Sequence, residues 1–345
     1  TNIGTIKNGN ALSGIGIFGT PKARNYMSYL VNRNQNIAND SVLMKNKSPY
    51  LIDNTVIYIP AGKTLTIEPG VVIKFFNNAG LVGHGSIIAR GTESAPIVFT
   101  SFYDDAYDGD TNQDGLCDPG NASSTAACPF AGAWRGVDIF STSIESVFDH
   151  TIFRYGGENS PSYKQANLSI EGVSPAITNS VFEYAGKYGV TLSYASSTVS
   201  NNIFRNNKNN VFSCGLSVNV SAPTVSDNTF SGNRRGLCLS STAGDILNNT
   251  FTNNINDAIT STHRFAGRLL GNTGSGNGKN GISFIGELTK RGDALTLEKN
   301  DLPYLVVDDT NVSASSTLTM SPYTIIKFGD RFLRILGSFI VPGPA

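Results

Sequence analysis

Charge is scarce in this chain. Asp, Glu, Lys and Arg supply 15% of its 345 residues, and 26 acids balance 26 bases. A net charge of zero leaves no electrostatic footprint for nucleic acid or an anionic membrane, so neither is expected as a partner. No apolar run approaches the length of a membrane span. The opening, TNIGTIKNGN, lacks the charged and apolar regions of a signal peptide, as in a mature or trimmed chain. Tryptophan occurs once and histidine three times. With no C-x-x-C pair and no histidine cluster, nothing suggests zinc. Nucleophile elbow, phosphate loop and dinucleotide fingerprint are missing too.

Glycine is plentiful, at 36 residues, and Asn, Ser and Thr are abundant. That profile suits a turn-rich β protein and argues against a helical bundle. The four cysteines fall into two local pairs, Cys117 with Cys128 and Cys214 with Cys238. Close, even pairs in such a chain favour disulfides and an oxidising, extracellular setting. Seven N-x-[ST] sequons, among them Asn121, Asn219 and Asn311, are compatible with a glycosylated surface.

The middle of the chain repeats itself. NNIFRNNKNNVFSCGLS (201–217) is followed by DNTFSGNRRGLCLSS (227–241) and NNTFTNNINDAITST (248–262). NSVFEYAGKYGVTLS (179–193) and HTIFRYGG (150–157) carry the same beat. The anchoring phenylalanines are Phe153, Phe182, Phe204, Phe230 and Phe251, at steps of 29, 22, 26 and 21 residues. A variable period in the twenties, with apolar alternation between Asn/Gly turns, is the signature of a solenoid. Stacked coils would bury Phe on Phe, and Asn recurring at one turn would form ladders. Leucine-rich repeats and β-sandwiches fit less well. The expected fold is all-β, a right-handed parallel β-helix.

A longer repeat brackets this one. SPYLIDNTVIYIPAGKTLTIEPGVVIKF (48–75) returns as LPYLVVDDTNVSASSTLTMSPYTIIKF (302–328), matching Pro49 to Pro303, Lys74 to Lys327 and Gly85 to Gly337. Three segments follow: an N-terminal coil with a helical insertion (1–47), a β-helix module (48–301) and the start of a second module or an assembly end (302–345). The insertion places Thr20 as N-cap, Pro21 at the first helical position, and Ala23, Tyr26, Met27, Leu30 and Val31 on one face. A short amphipathic helix is predicted there.

AGKTLTIEPGVVIKF, GSIIARGTESAPIVFTS, WRGVDIF and FDHTIFRYGG resemble the β-helix modules of large bacterial secreted and cell-surface proteins, within the pectate-lyase-like superfold. The resemblance spans roughly residues 48–300. It implies architecture and leaves activity open, because that superfold carries lyases, glycosidases, tailspikes and adhesin stalks.

Between APIVFTS and AWRGVDIF the coil pattern is interrupted by a loop over 104–130 containing DGDTNQDGLCD. Asp110, Asn112, Asp114 and Asp118 fall in a D-x-N-x-D-G-x-x-D spacing that resembles the calcium loops of thrombospondin type 3 repeats. Carboxylates this dense repel one another without a cation. The expected ligands are Asp108, Asp110, Asn112, Asp114, the carbonyl of Leu116 and Asp118. Asp104 and Asp105 complete the site or form a second one. The loop reads as a structural clasp, tied by calcium and by Cys117–Cys128.

Catalytic patterns are thin. Gly83-His84-Gly85 is similar to the G-H-G of polygalacturonases, but the clustered acids such an enzyme needs are missing, and Leu336 replaces His84 in the second copy. Arg135 and Arg154 are the only plausible partners for a calcium-dependent lyase, with Trp134 expected to pack the loop on its coil. His150 and His263 stand alone. Parity places Cys214 and Cys238 on the outward face, with Val211 opposite Leu237. The reading is a non-enzymatic structural subunit or stalk of an extracellular surface fibre or adhesin. Its subunits would associate end to end or as a covalent tandem array, with surface glycans as partners. A carbohydrate-active enzyme or carbohydrate-binding tailspike is the alternative.

Overall fold

The computed structural model describes residues 28–30, 35–117, 126–140, 142, 144–158 and 164–343. All regular structure there is β. By compactness the chain divides into residues 1–187 and 188–345, whereas the sequence repeat suggests 47/48 and 301/302.

In the first unit the chain visits three parallel sheets in turn. One sheet runs through Tyr50–Asp53, Val72–Phe76, Ile97–Ser101, Thr151–Arg154 and Val181–Glu183. The second runs through Val56–Ile59, Gly80–Gly83, Gly136–Ile139 and Ala166–Glu171, and the third through Thr64–Ile67, Ser86–Arg90, Val147–Asp149 and Ala176–Thr178. The second unit repeats this plan. One sheet holds Ile203–Arg205, Thr229–Ser231, Thr250–Thr252 and Thr273–Ser275, and another advances from Tyr188–Ser193 to Tyr304–Val312. Each coil pairs in parallel with the next, which is the β-helix that the repeat predicts.

Register fixes the core. Phe153 pairs with Phe182, and Phe230 pairs with both Phe204 and Phe251. The rings stack nearly parallel, 4.3 Å apart for Phe99–Phe153, 4.7 Å for Phe204–Phe230 and 4.8 Å for Phe230–Phe251. All five anchoring phenylalanines are buried. Each contributes about 1.5–3 kcal/mol of burial, with roughly 1 kcal/mol more from each stacked pair.

Two asparagine ladders line the turns of the second unit. Asn202, Asn228, Asn249 and Asn272 form one, and Asn207, Asn233, Asn254 and Asn277 the other. In each rung Oδ1 accepts both the backbone N–H and the side-chain Nδ2 of the preceding asparagine. Its own Nδ2 donates to a backbone carbonyl of the coil before, as Asn249 does to Val225 at 2.8 Å. The residue just before each ladder asparagine is left-handed: Asn201, Asn206, Asn248 and Asn253 at φ 54–58°, Asp227 at 58°, and glycine at 232, 271 and 276. Asn, Asp and Gly are the residues that tolerate this region. The N-N, D-N and G-N dipeptides are therefore corner instructions, one residue turning the chain and the next bonding the stack.

The long repeat is structural as well. Tyr50 pairs with Ile73 and Tyr304 with Ile326, while Thr64 pairs with Ser86 and Thr317 with Ser338. Gly85 and Gly337 match for a shared reason: a Cβ would lie 2.2 Å from Lys63 O in the first copy and 2.0 Å from Ser316 O in the second.

The helix expected over 20–31 is corrected at its end. Ser28–Leu30 is a strand paired with Tyr50–Ile52, because edge pairing there satisfies backbone groups that a helix would withdraw. Residues 20–27 and Val31 lie outside the described residues.

Replacing Asn249 by Ala removes one whole rung and orphans its buried partners. We expect a loss of about 3 kcal/mol in urea denaturation, against under about 0.5 kcal/mol for the exposed Asn209→Ala. Equal losses would contradict the ladder's role.

Candidate functional site: the acidic loop and its buried cations

The strand run VIKFF places Lys74 between apolar neighbours, and its side chain is 0% exposed. A charge there needs partners from elsewhere in the chain. The acidic loop supplies them. Lys74 Nζ donates to Gly109 O at 2.9 Å and to Thr111 Oγ1 at 2.6 Å. Burial pushes its ammonium below the usual range, and Asp104, Asp105, Asp108 and Asp110 pull in the opposite direction.

Arg154 is the second cation. It lies 2.9 Å from Asp104 Oδ2 and 2.6 Å from Glu183 Oε1, both carboxylates nearly buried. Thr100 Oγ1 donates to Asp104 as well. The guanidinium sits over the rings of Tyr107 and Tyr155, 5.3 and 4.9 Å from their centroids. Burial works against its charge, and Asp104 and Glu183 outweigh burial, holding it firmly protonated. Tyr155 stacks on Tyr184 at 5.2 Å, and its phenol is pushed up to about 12, chiefly by burial.

The expected calcium ligands are spread along the loop. Asp110 caps its own turn, accepting the amides of Gln113 and Gly115. Asp114 accepts the Ala127 amide at 2.8 Å. Asp108 lies 3.8 Å from Lys45 Nζ. Leu116 is exposed, and Asp118 lies outside the described residues. Asp105 accepts the Cys117 amide through Oδ2, while its Oδ1 and Asn112 Oδ1 are buried without hydrogen-bond partners. Burial raises the Asp105 carboxyl. Among the described residues no three His, Cys, Asp or Glu side chains converge as a metal site. In donor chemistry the loop suits calcium: oxygens only, two of them orphaned.

Cys117–Cys128 closes the loop, with Cα atoms 5.0 Å apart. Trp134 anchors its far end, fully buried, stacked 4.1 Å from Phe75 and donating Nε1–H to Arg154 O at 2.8 Å. Arg135 is paired with Asp138, Nη2 to Oδ2 at 3.0 Å. Burial raises Asp138, and it raises Glu158, whose Oε2 is buried and unpartnered. His84 is exposed and stacks on Phe140 at 4.9 Å. His150 Nδ1 lies 3.1 Å from Asp149, and His263 is exposed.

The Cys214–Cys238 disulfide joins neighbouring coils of the second unit, but in a different register from the expected one. Leu237 pairs with Leu216, and Cys238 with Ser217, while Val211 is exposed and Cys214 is buried. Twelve residues separate Phe204 from Leu216, against seven from Phe230 to Leu237. The five extra residues are thrown out in the turn after Asn207, which a fixed period cannot register.

Sequence reasoning missed Lys74, Glu183, Asp138 and Glu158. The available signal was a lysine inside an apolar strand, repeated at Lys327.

Residues 131–302 match the family described as right handed beta helix region. With the coil topology, the described residues form an all-β parallel β-solenoid, consistent with a right-handed β-helix. A stretch of 63 residues is 40% identical to Protein bark beetle of Drosophila melanogaster, covering 18% of this chain and 2% of that protein. No solved structure matches.

Substituting Lys74 by Met leaves the loop's acids facing a buried apolar side chain. The expected cost is about 1–3 kcal/mol, as for acceptors that lose their buried donor, with faster proteolysis between residues 105 and 117. An unchanged denaturation midpoint would show that the loop does not depend on Lys74.

Proposed function

We propose that the chain is a non-enzymatic structural module of an extracellular surface fibre or adhesin, whose coils stack end to end on further β-helix modules. The observation that carries this reading is how its enclosed charges are used. Lys74 is spent on loop oxygens, Arg154 on Asp104 and Glu183, and Arg135 on Asp138. Charges committed to one another are poorly available for acid–base work. Two disulfides staple a loop and a pair of coils, and they are compatible with a secreted protein. Among the described residues no helix is long and apolar enough to cross a membrane.

The same reading gives the loop a calcium ion. Asn112, Asp105, Asp108, Asp110, Asp114, the Leu116 carbonyl and Asp118 would hold it, and it would neutralise acids that Lys74 does not reach. At a calcium concentration of 100 times Kd, binding stabilises by about 2.7 kcal/mol. EGTA is therefore expected to lower the calorimetric melting temperature, and Asn112→Ala to weaken that response. Identical curves with and without calcium would remove the ion from the account.

On polygalacturonate and other acidic glycans no turnover is expected. Calcium-dependent release of unsaturated products, abolished by Arg135→Ala, would replace the structural reading with a lyase.

A further inference from the structure

In the second unit, the turn after Asn207 is five residues longer than its equivalent one coil on, and it sets an aromatic ring on the surface. Val211 and Phe212 are exposed, Phe212 by 63%. Bonds hold this turn from several sides. Asn210 Oδ1 accepts the Phe212 amide at 2.9 Å, and Ser213 Oγ accepts the Asn210 amide at 3.0 Å. Arg235 Nη1 donates to Val211 O at 3.3 Å, and Cys214 is bonded to Cys238 of the next coil. A ring fixed in this way loses little further freedom on meeting a ligand.

Phe212 borders a groove of about 320 Å3 that crosses three coils. Strand alternation makes its floor polar. Leu216, Leu237 and Ile259 are buried in the core, so Ser217, Cys238 and Thr260, paired side by side, lie on the outer face. Ser240 and Thr262 pair beside them. Ser217 and Ser240 are half-buried in this floor, with hydroxyls that both donate and accept. Thr260 Oγ1 is enclosed there without a hydrogen-bond partner, a polar group that a hydroxyl-rich ligand would satisfy. Arg235 lines the groove, and Lys279 is its neighbour across Asp257. The two cations lie 3.7 and 3.5 Å from the Asp257 carboxylate, which also accepts the Ser283 hydroxyl at 2.6 Å. One nearly buried carboxylate thus serves two cations, leaving a positive charge in surplus.

We propose that this groove binds a short pyranose chain that carries a carboxylate. Phe212 is the platform for a sugar face, the floor hydroxyls meet those of the ring, and Arg235 and Lys279 meet the carboxylate. The strands of the floor, Cys214–Asn219, Leu237–Thr242 and Asp257–Phe265, are each paired on both edges. With no backbone edge open, a peptide has no strand to extend. Hydroxyls, one exposed aromatic ring and surplus positive charge match a sugar acid instead, and the volume suits a small ligand.

The inference rests on the adhesin reading and names its ligand class. Fluorescein-labelled trigalacturonate is titrated into the full chain and followed by anisotropy, with labelled maltotriose as the neutral control. Saturable binding of the acidic trimer is expected. It should weaken about tenfold or more with Phe212→Ala, as when an aromatic anchor is truncated. Lys279→Gln should weaken it about threefold, as for an exposed ion pair. Both side chains are exposed, so both variants should keep the melting temperature of the parent chain. Absence of binding, equal binding by Phe212→Ala, or maltotriose binding as tightly as the acidic trimer overturns the proposal. So does full displacement of the trimer by an equal concentration of hexaglutamate, which would mark a peptide site. Each of these results leaves the stacked-coil reading standing. Release of unsaturated products, lost with Arg135→Ala, would instead sink that reading, whatever binds beside Phe212.

Discussion

Every coil must set the same kind of side chain at the same corner as the coil beside it. In the second unit the demand is strict, because each coil's polar corner groups are enclosed by the next and need partners there. The asparagine ladders meet this demand: Asn228, Asn249 and Asn272 use both ends of the carboxamide, accepting from one coil and donating to another. An ionised Asp has no donor to do this, and Ser has a single O–H, whereas the carboxamide offers two N–H donors and an acceptor without charge. The phenylalanine stacks follow from the same constraint, expressed in apolar groups.

The acidic loop departs from that economy, and two buried cations make the departure tolerable. Lys74 and Arg154 approach it from two strands of one sheet that flank Ile97–Ser101, the first bonded to loop carbonyl and hydroxyl, the second to Asp104. Their desolvation is costly, and the arrangement holds only while the partners stay in place. That makes the loop conditional on the stack beneath it. Trp134, stacked on Phe75, ties its far end to the same coil.

Much of the fold was legible because solenoid rules are local. The beat of Phe153, Phe182, Phe204, Phe230 and Phe251 and the recurring Asn pairs identify coils, the column they bury and the turns that join them. Coils of unequal length defeated finer reading: five residues thrown out after Asn207 shifted the partner of Leu237 from Val211 to Leu216. The pairing of Cys214 with Cys238 survived that error because both cysteines still fell on adjacent coils. At the candidate site the acids stood out as a dense patch and Arg154 was singled out beside them, but Lys74 and Glu183 were not. Lys74 and Glu183 lie far from the loop in sequence, and only the stacking of coils brings them near it.

The central claim is that interior side-chain ladders hold the coils of the second unit in register. Native-state hydrogen exchange tests it most directly. The backbone amides of Asn202, Asn228, Asn233 and Asn249, each bonded to a ladder Oδ1, should exchange only through global opening and share one protection free energy. Exchange of these amides at the rate of exposed turn amides, with the strands between them still protected, would contradict the account.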